Sequence, residues 1–266
     1  MNMGKKSIIG GAELGELSVV DRNADAIHKA NTDFWDTIGS EFLGVTALPD
    51  YGAFVTEEKL HLFGNLANKK LLEIGCGNGH SLKYVSDQGA SELWGTDLSP
   101  LQMERTRKFL TAQKVDAKLV CAPMESECGI PHDYFDFVYS VYAIGWTTDL
   151  NKTLKQIASY LKKDGIFIFS WSHPIHKCVS AENGKLIFQN SYFDESWYSV
   201  SLANKEFMLS NRKLSTYVNA LASNGFVIEQ LIEESDEDRI CADDENDFSK
   251  KAKMLPVTFV IKARKL

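Results

Sequence analysis

An acid followed by three glycines at alternate positions, Glu73-Ile74-Gly75-Cys76-Gly77-Asn78-Gly79, is the stretch whose residue types and spacing most directly imply chemistry. The apolar run Leu71–Ile74 leads into it, so the pattern is that of a buried strand, a tight turn and a helix. Glycine has no Cβ, which lets a ligand lie against the backbone of the turn. The free N–H groups of the following helix point at whatever occupies it. Charge then narrows the ligand. A dinucleotide fingerprint spaces its glycines G-x-G-x-x-G, and here the third glycine comes one residue early. A carboxylate at the strand end would also repel a pyrophosphate by several kcal/mol in a poorly solvated cleft. It suits a ligand that carries positive charge.

A second acid, Asp97, closes the strand Glu92–Asp97 about 20 residues past the turn, where a carboxylate can accept from both hydroxyls of a ribose. The competing reading is a turn aspartate that serves the next helix. That helix opens at Ser99-Pro100-Leu101-Gln102, with serine as N-cap, proline in the first position and glutamine closing a capping box. Taken together, the acid-x-Gly-x-Gly-x-Gly turn and Asp97 resemble motif I and the ribose acid of the class I S-adenosylmethionine-dependent methyltransferases. Their cofactor bears an ammonium and a sulfonium. The Leu161-Lys162-x-x-Gly165 run, the strand after it and His173-Pro174 resemble the small-molecule "type 11" branch of that family. The likeness covers residues 68–170 and 212–264.

The resemblance implies roles. Glu73 and the Gly75, Cys76, Gly77 and Gly79 backbone would hold the methionine part, Asp97 the ribose, and Leu98 the adenine face. The family usually carries an aspartate beyond the third strand; this chain has Ala122-Pro123-Met124-Glu125, which leaves the adenine to Met124 and Glu125. Ser140, at the end of the fourth strand, is a further candidate cofactor contact. The loop after that strand faces the transferable methyl in the family. Ser140-Val141-Tyr142-Ala143 is not the Asn/Asp/Ser-Pro-Pro-aromatic tetrad of exocyclic-amine DNA methyltransferases, which disfavours that class. Trp35, Tyr142 and Trp146 are candidates for the acceptor pocket, against a competing reading as core aromatics. His173 is the candidate general base, since it titrates near neutral pH and follows a sheet strand's C-terminal end; its competing reading is a histidine bonded to backbone in a turn before proline. His173 and His176 have no third ligand nearby, so no metal is expected.

Alternating strand and helix patterns must position these groups. They run from a first strand at 70–74 to a last at 257–262, and the expected fold is α/β, a doubly wound seven-stranded mostly parallel sheet. With it the resemblance implies a reversed last strand. Residues 1–67 are expected to be an N-terminal helical segment or lid, 68–174 and 212–266 the core, and 175–211 an inserted cap or small extra sheet. The acidic run Glu233–Asp247 reads as a solvated hairpin loop. A net charge of −7 argues against nucleic acid as the default partner. Five scattered cysteines without a CxxC pair are the pattern of a reduced, cytoplasmic protein. No run is long and apolar enough to span a bilayer, and Glu13 and Glu16 interrupt any signal-peptide core. The expected reaction is methyl transfer to a small-molecule acceptor, with a homodimer an open option. An NAD-linked oxidoreductase and a non-catalytic cofactor-binding protein are the alternatives.

Overall fold

The computed structural model describes residues 8–9, 12–13, 17–19, 23–38, 46–183, 185–202, 204–242 and 247–266. Helix α1 spans Ala24–Ile38; the sequence predicts a helical pattern from Ala24 to Phe42 with a break at Gly39, and residues 39–45 lie outside the described residues. The core then alternates: β1 (Lys70–Ile74), α2 (His80–Asp87), β2 (Glu92–Asp97), α3 (Pro100–Ala112), β3 (Lys118–Cys121), β4 (Phe135–Val141), α4 (Leu150–Tyr160) and β5 (Leu161–Ser172). A short α5 (Pro174–Cys178) opens the insertion, which holds the hairpins β6 (Val179–Glu182) with β7 (Lys185–Phe188) and β8 (Trp197–Leu202) with β9 (Lys205–Ser210). Helix α6 (Leu214–Ser223), β10 (Phe226–Ile232), α7 (Glu237–Ala242), α8 (Asp247–Ala252) and β11 (Thr258–Lys265) complete the chain.

The seven core strands lie in the order β10-β11-β5-β4-β1-β2-β3. All neighbours from β5 to β3 are parallel, and β11 runs antiparallel to both β5 and β10. Both faces are covered, as a parallel sheet requires. Leu72, Ile74 and Val138 pack into one core, and their strand neighbours Leu71, Phe137 and Tyr139 into the other. β1 is therefore apolar along its buried length, and Glu73 is the one charged residue among its buried positions. The order reverses between β4 and β1, which places a crevice outside the C-terminal ends of those two strands.

Some local expectations changed. With Thr56 as N-cap and Leu60, Leu62, Phe63 and Leu66 as a buried face, the sequence predicts a helix running to about Leu66; it stops after Glu57–Leu60, because the Glu57 carboxylate turns back to accept from the N–H groups of Leu62 and Phe63. The sequence Lys162-Lys163-Asp164-Gly165 predicts the end of α4 with glycine in the left-handed position; α4 ends at Tyr160, and the left-handed residue is Asp164 (φ 59°). The acidic run contains α7 and the start of α8. In the insertion, β8 pairs on its other side with Leu17–Val19, giving a three-stranded sheet.

Candidate functional site

A cavity of ≈ 320 Å³ opens at the crevice beside the ends of β1, β2 and β4. The glycine turn forms its floor. Gly75 (φ 74°) and Cys76 both donate to Thr96 O at 2.8 Å, which folds the turn back over the end of β2. A Cβ on Gly75 would stand 2.3 Å from Ala143 Cβ, so the bare residue lets the β1 turn and the β4 loop approach each other. Of the turn's glycines, Gly75 and Gly77 line the cavity. Gly79 is not among the lining residues; it is the N-cap of α2 and packs against Thr106 and Leu110.

The floor is acidic. Glu73 is 2 % exposed and accepts from Tyr139 Oη at 3.3 Å. Burial pushes its carboxyl up to about 8, against the opposing pull of hydrogen bonds from Ser81 and Tyr139. Asp97 accepts from Gly77 N and Ser99 N, each at 2.9 Å. Burial also raises its carboxyl above the ordinary value, although three backbone N–H groups oppose the shift. Asp50 and Glu125 line the cavity as well, and no lysine or arginine does so among the described residues. Asp50 is ion-paired with Arg239. A cation is the ligand such a floor lacks.

Two polar atoms sharpen the point. Thr96 Oγ1 and Gln102 Oε1 belong to cavity-lining residues, are buried, and have no hydrogen-bond partner. In a folded protein such atoms are rare unless a ligand or water completes them. Gln102 was expected to close a capping box. Only the half in which Ser99 Oγ accepts from Gln102 N is present, and the side chain is left for the cavity.

The walls come from three elements. His28, Asn31 and Trp35 project from one face of α1, at intervals that align on a helix, and roof the cavity. His28 Nε2 lies 2.8 Å from Glu125 Oε1, which also receives Thr148 Oγ1. Burial would raise the Glu125 carboxyl, but these two partners outweigh it and hold it below its ordinary value. Asn31 grips the backbone of Met208 in β9 with both amide atoms, at 3.0 and 2.8 Å. Leu98 and Met124 line one end. Tyr142, with Trp146 on the 3-10 turn Ile144–Trp146, lines the other. Tyr142 adopts φ 53°, which an aromatic residue tolerates only when its surroundings enforce it. Its N–H donates to Ser170 Oγ at 3.1 Å, and a Cβ on Gly52 would stand 2.6 Å from its ring.

Besides Gly79, two expected site residues are corrected. Ser140 is fully buried, donates to Ile74 O at 2.9 Å, and is not among the lining residues; it ties β4 to β1. His173 does not line the cavity either. Its Nδ1 accepts from Ile175 N at 3.1 Å, so Nε2 carries the proton and donates to Glu233 Oε1 at 2.7 Å. Burial lowers its pKa, with Glu233 opposing. With both nitrogens engaged it caps α5, which is the competing reading of the sequence. Conversely, Thr96, His28 and the loop from Thr46 to Asp50 line the cavity without having been expected there. A threonine inside a strand and a histidine on an amphipathic helix give no signal of their own; only the folded crossing of α1 over the sheet brings His28 to the site.

Residues 72–169 match the family model described as a methyltransferase domain, type 11. An uncharacterized protein of Haemophilus influenzae is 30% identical over 224 residues, covering 78% of this chain and 85% of that one. The chain belongs to the class I S-adenosylmethionine-dependent methyltransferases. The fold agrees. A structure of an S-adenosylmethionine-dependent methyltransferase from Mesorhizobium loti superposes with a TM-score of 0.67 at 22% identity, over 77% of this chain and 95% of that one. A candidate S-adenosylmethionine-dependent methyltransferase from Listeria monocytogenes gives 0.64 at 25% identity, over 79% and 97%. The methyltransferase uses S-adenosylmethionine, and the cavity fits it: the lining charge is of the sign that a sulfonium and an ammonium need, and orphaned oxygens await donors. No helix among the described residues is long and apolar enough to cross a membrane.

Proposed function

We propose that the methyltransferase acts on a small molecule taken up between the α1 roof and the Tyr142–Trp146 loop. One observation carries this reading: the cavity is concave, walled by Trp35, Tyr142 and Trp146, and free of lysine and arginine among its described lining residues. Such a wall suits a compact, partly apolar acceptor and offers nothing to a polyanion. In this reading Glu73 and the turn backbone from Gly75 to Asn78 hold the methionine part of the cofactor. Asp97, with Gln102 and Thr96, holds the ribose side, and Leu98, Met124 and Glu125 bound the adenine.

S-adenosylmethionine, when bound, supplies a methyl group already activated by its sulfonium. The chain's own contribution is then placement, which can be worth roughly 7–11 kcal/mol when two reactants are held in line. Glu73 and Asp97 orient one reactant, the aromatic wall orients the other, and the α1 roof excludes water. Residues 1–67 act as the lid and 175–211 as a cap on the acceptor side, with 68–174 and 212–266 as the core. Free thiols at Cys76, Cys121, Cys128, Cys178 and Cys241 fit a reducing, cytoplasmic setting.

The test is a screen of metabolite pools with the purified protein and S-adenosylmethionine. A new mass, larger than a pool component by one methylene, is expected. Methylation confined to added protein or nucleic acid would refute the reading. Calorimetric titration checks the cofactor half: Asp97→Ala is expected to weaken S-adenosylmethionine binding about tenfold or more, as loss of charge-assisted hydrogen bonds does.

A further inference from the structure

Behind the aromatic wall lies a cluster of hydrogen-bond donors that no carboxylate pairs with among the described residues. Lys177, in α5, extends its ammonium between Trp171 and Tyr198, 5.5 and 5.8 Å from the ring centroids. Its hydrogen bond goes to Tyr198 Oη at 3.1 Å. Arg212 follows β9 and donates to Gly145 O at 3.1 Å and Thr147 O at 2.5 Å. The Tyr217 hydroxyl, on α6, is buried beside Arg212 without a well-formed hydrogen bond. These groups are near enough to feel one another: Arg212 disfavours the charged form of Lys177 and favours ionisation of Tyr198 and Tyr217. Burial sets the larger shift in each case. No aspartate or glutamate forms an ion pair with Lys177 or Arg212 among the described residues. Partly buried cations close together without a carboxylate are costly unless something compensates them.

The cluster sits one ring away from the cofactor cavity. Trp171 packs against Tyr142 at 5.3 Å and Trp146 at 6.1 Å, both of which line that cavity. The two carbonyls that Arg212 holds flank Trp146.

We propose that Lys177, Arg212 and the hydroxyls of Tyr198 and Tyr217 form a subsite for an oxyanion, a carboxylate or a phosphate, carried by the methyl acceptor. Its assignment to the acceptor rests on the small-molecule reading above; the oxyanion site itself does not. All four groups donate, and an oxyanion is the ligand that accepts from all of them. A proton signature follows. Burial, then Arg212, brings Lys177 down to about 7, with the neighbouring Cys178 opposing. At pH 8 it is mostly neutral in the free protein, and a bound anion restores its charge, so binding takes up a proton.

The experiment is calorimetric titration of the full chain, saturated with S-adenosylhomocysteine, with sodium benzoate and separately with inorganic phosphate at constant ionic strength and pH 8, in two buffers of different ionisation enthalpy. At least one probe is expected to saturate, with proton uptake. Lys177→Gln is expected to weaken it roughly tenfold or more and Tyr217→Phe about threefold, while both variants keep wild-type affinity for S-adenosylhomocysteine. Benzoate binding alone identifies a carboxylate acceptor and phosphate binding alone a phosphorylated one. The subsite is overturned if neither probe saturates, or if both variants bind the probes as the wild type does. A protein that binds the oxyanion yet methylates no metabolite keeps the subsite and loses the acceptor reading.

Discussion

Glu73 concentrates the electrostatics of the site. Its folded-state pKa, about 8, lies above the ordinary carboxylate value, so between that value and pH 8 the folded chain holds a proton that the unfolded chain has lost. Stability of the free protein therefore falls as pH rises across this window, and Glu73→Gln is expected to flatten the fall. Denaturant titrations of both proteins from pH 5 to pH 9 check this; equal slopes would place the shift elsewhere. Gln102 makes a second residue-scale prediction. Its buried Oε1 has no partner, so Gln102→Leu is expected to leave the free protein at least as stable, by thermal melting, while weakening S-adenosylmethionine binding about tenfold. The charged half of the site was legible in the sequence, because an acid interrupting an apolar strand and a second acid at a set spacing both need a reason. Gln102 was legible only as a capping residue, since a capping box and a cavity ligand use the same residue at the same position. His173 was misread because a titratable group after a strand end looks the same whether its nitrogens are free or, as here, both bonded.

At the scale of elements, the turn between β1 and α2 is specified by contact as much as by ligand. Gly75→Ala puts a methyl group 2.3 Å from Ala143 Cβ at a φ of 74°. A loss of about 2–4 kcal/mol is expected from overpacking and left-handed strain together. Gly77→Ala meets no atom within 4 Å and carries only the strain of φ 48°, a loss of about 1 kcal/mol. Denaturant melts of the two variants rank them; an equal cost would mean that the β1 turn does not rely on Ala143. The α1 roof is held by polar ties that include His28 to Glu125, Asn31 to Met208 and Ser99 to Asp36. His28→Ala is expected to speed amide hydrogen exchange in α1 and to hasten cofactor release in stopped-flow measurements, with exchange in β1 unchanged. The bounds of α2 and β2 and the N-cap of α3 could be read from the sequence, because caps and glycines mark them. The short Glu57–Leu60 helix could not, because the carboxylate that ends it is also a good first-turn residue.

At the scale of the whole molecule, the strand order follows from alternation. Strand–helix–strand units demand parallel neighbours and right-handed crossovers, and two late strands without a helix between them that crosses the sheet give the antiparallel β10–β11 pair. Residues 175–211 break that alternation in the sequence, but the pairing of β8 with Leu17–Val19 could not be read there, since strands far apart in the chain leave no periodic trace. Four carboxyl groups, of Asp50, Glu73, Asp97 and Glu125, line the cavity, and no described lysine or arginine does. The account rests on that sign: the acidic floor binds the cofactor through its positive charges. Calorimetric titration of S-adenosylmethionine into the wild type and Glu73→Gln at pH 7 tests it most directly. The wild type is expected to bind with release of a proton, and the variant to bind about tenfold to hundredfold more weakly with no proton released. Equal affinities, with no proton released by either protein, would contradict it.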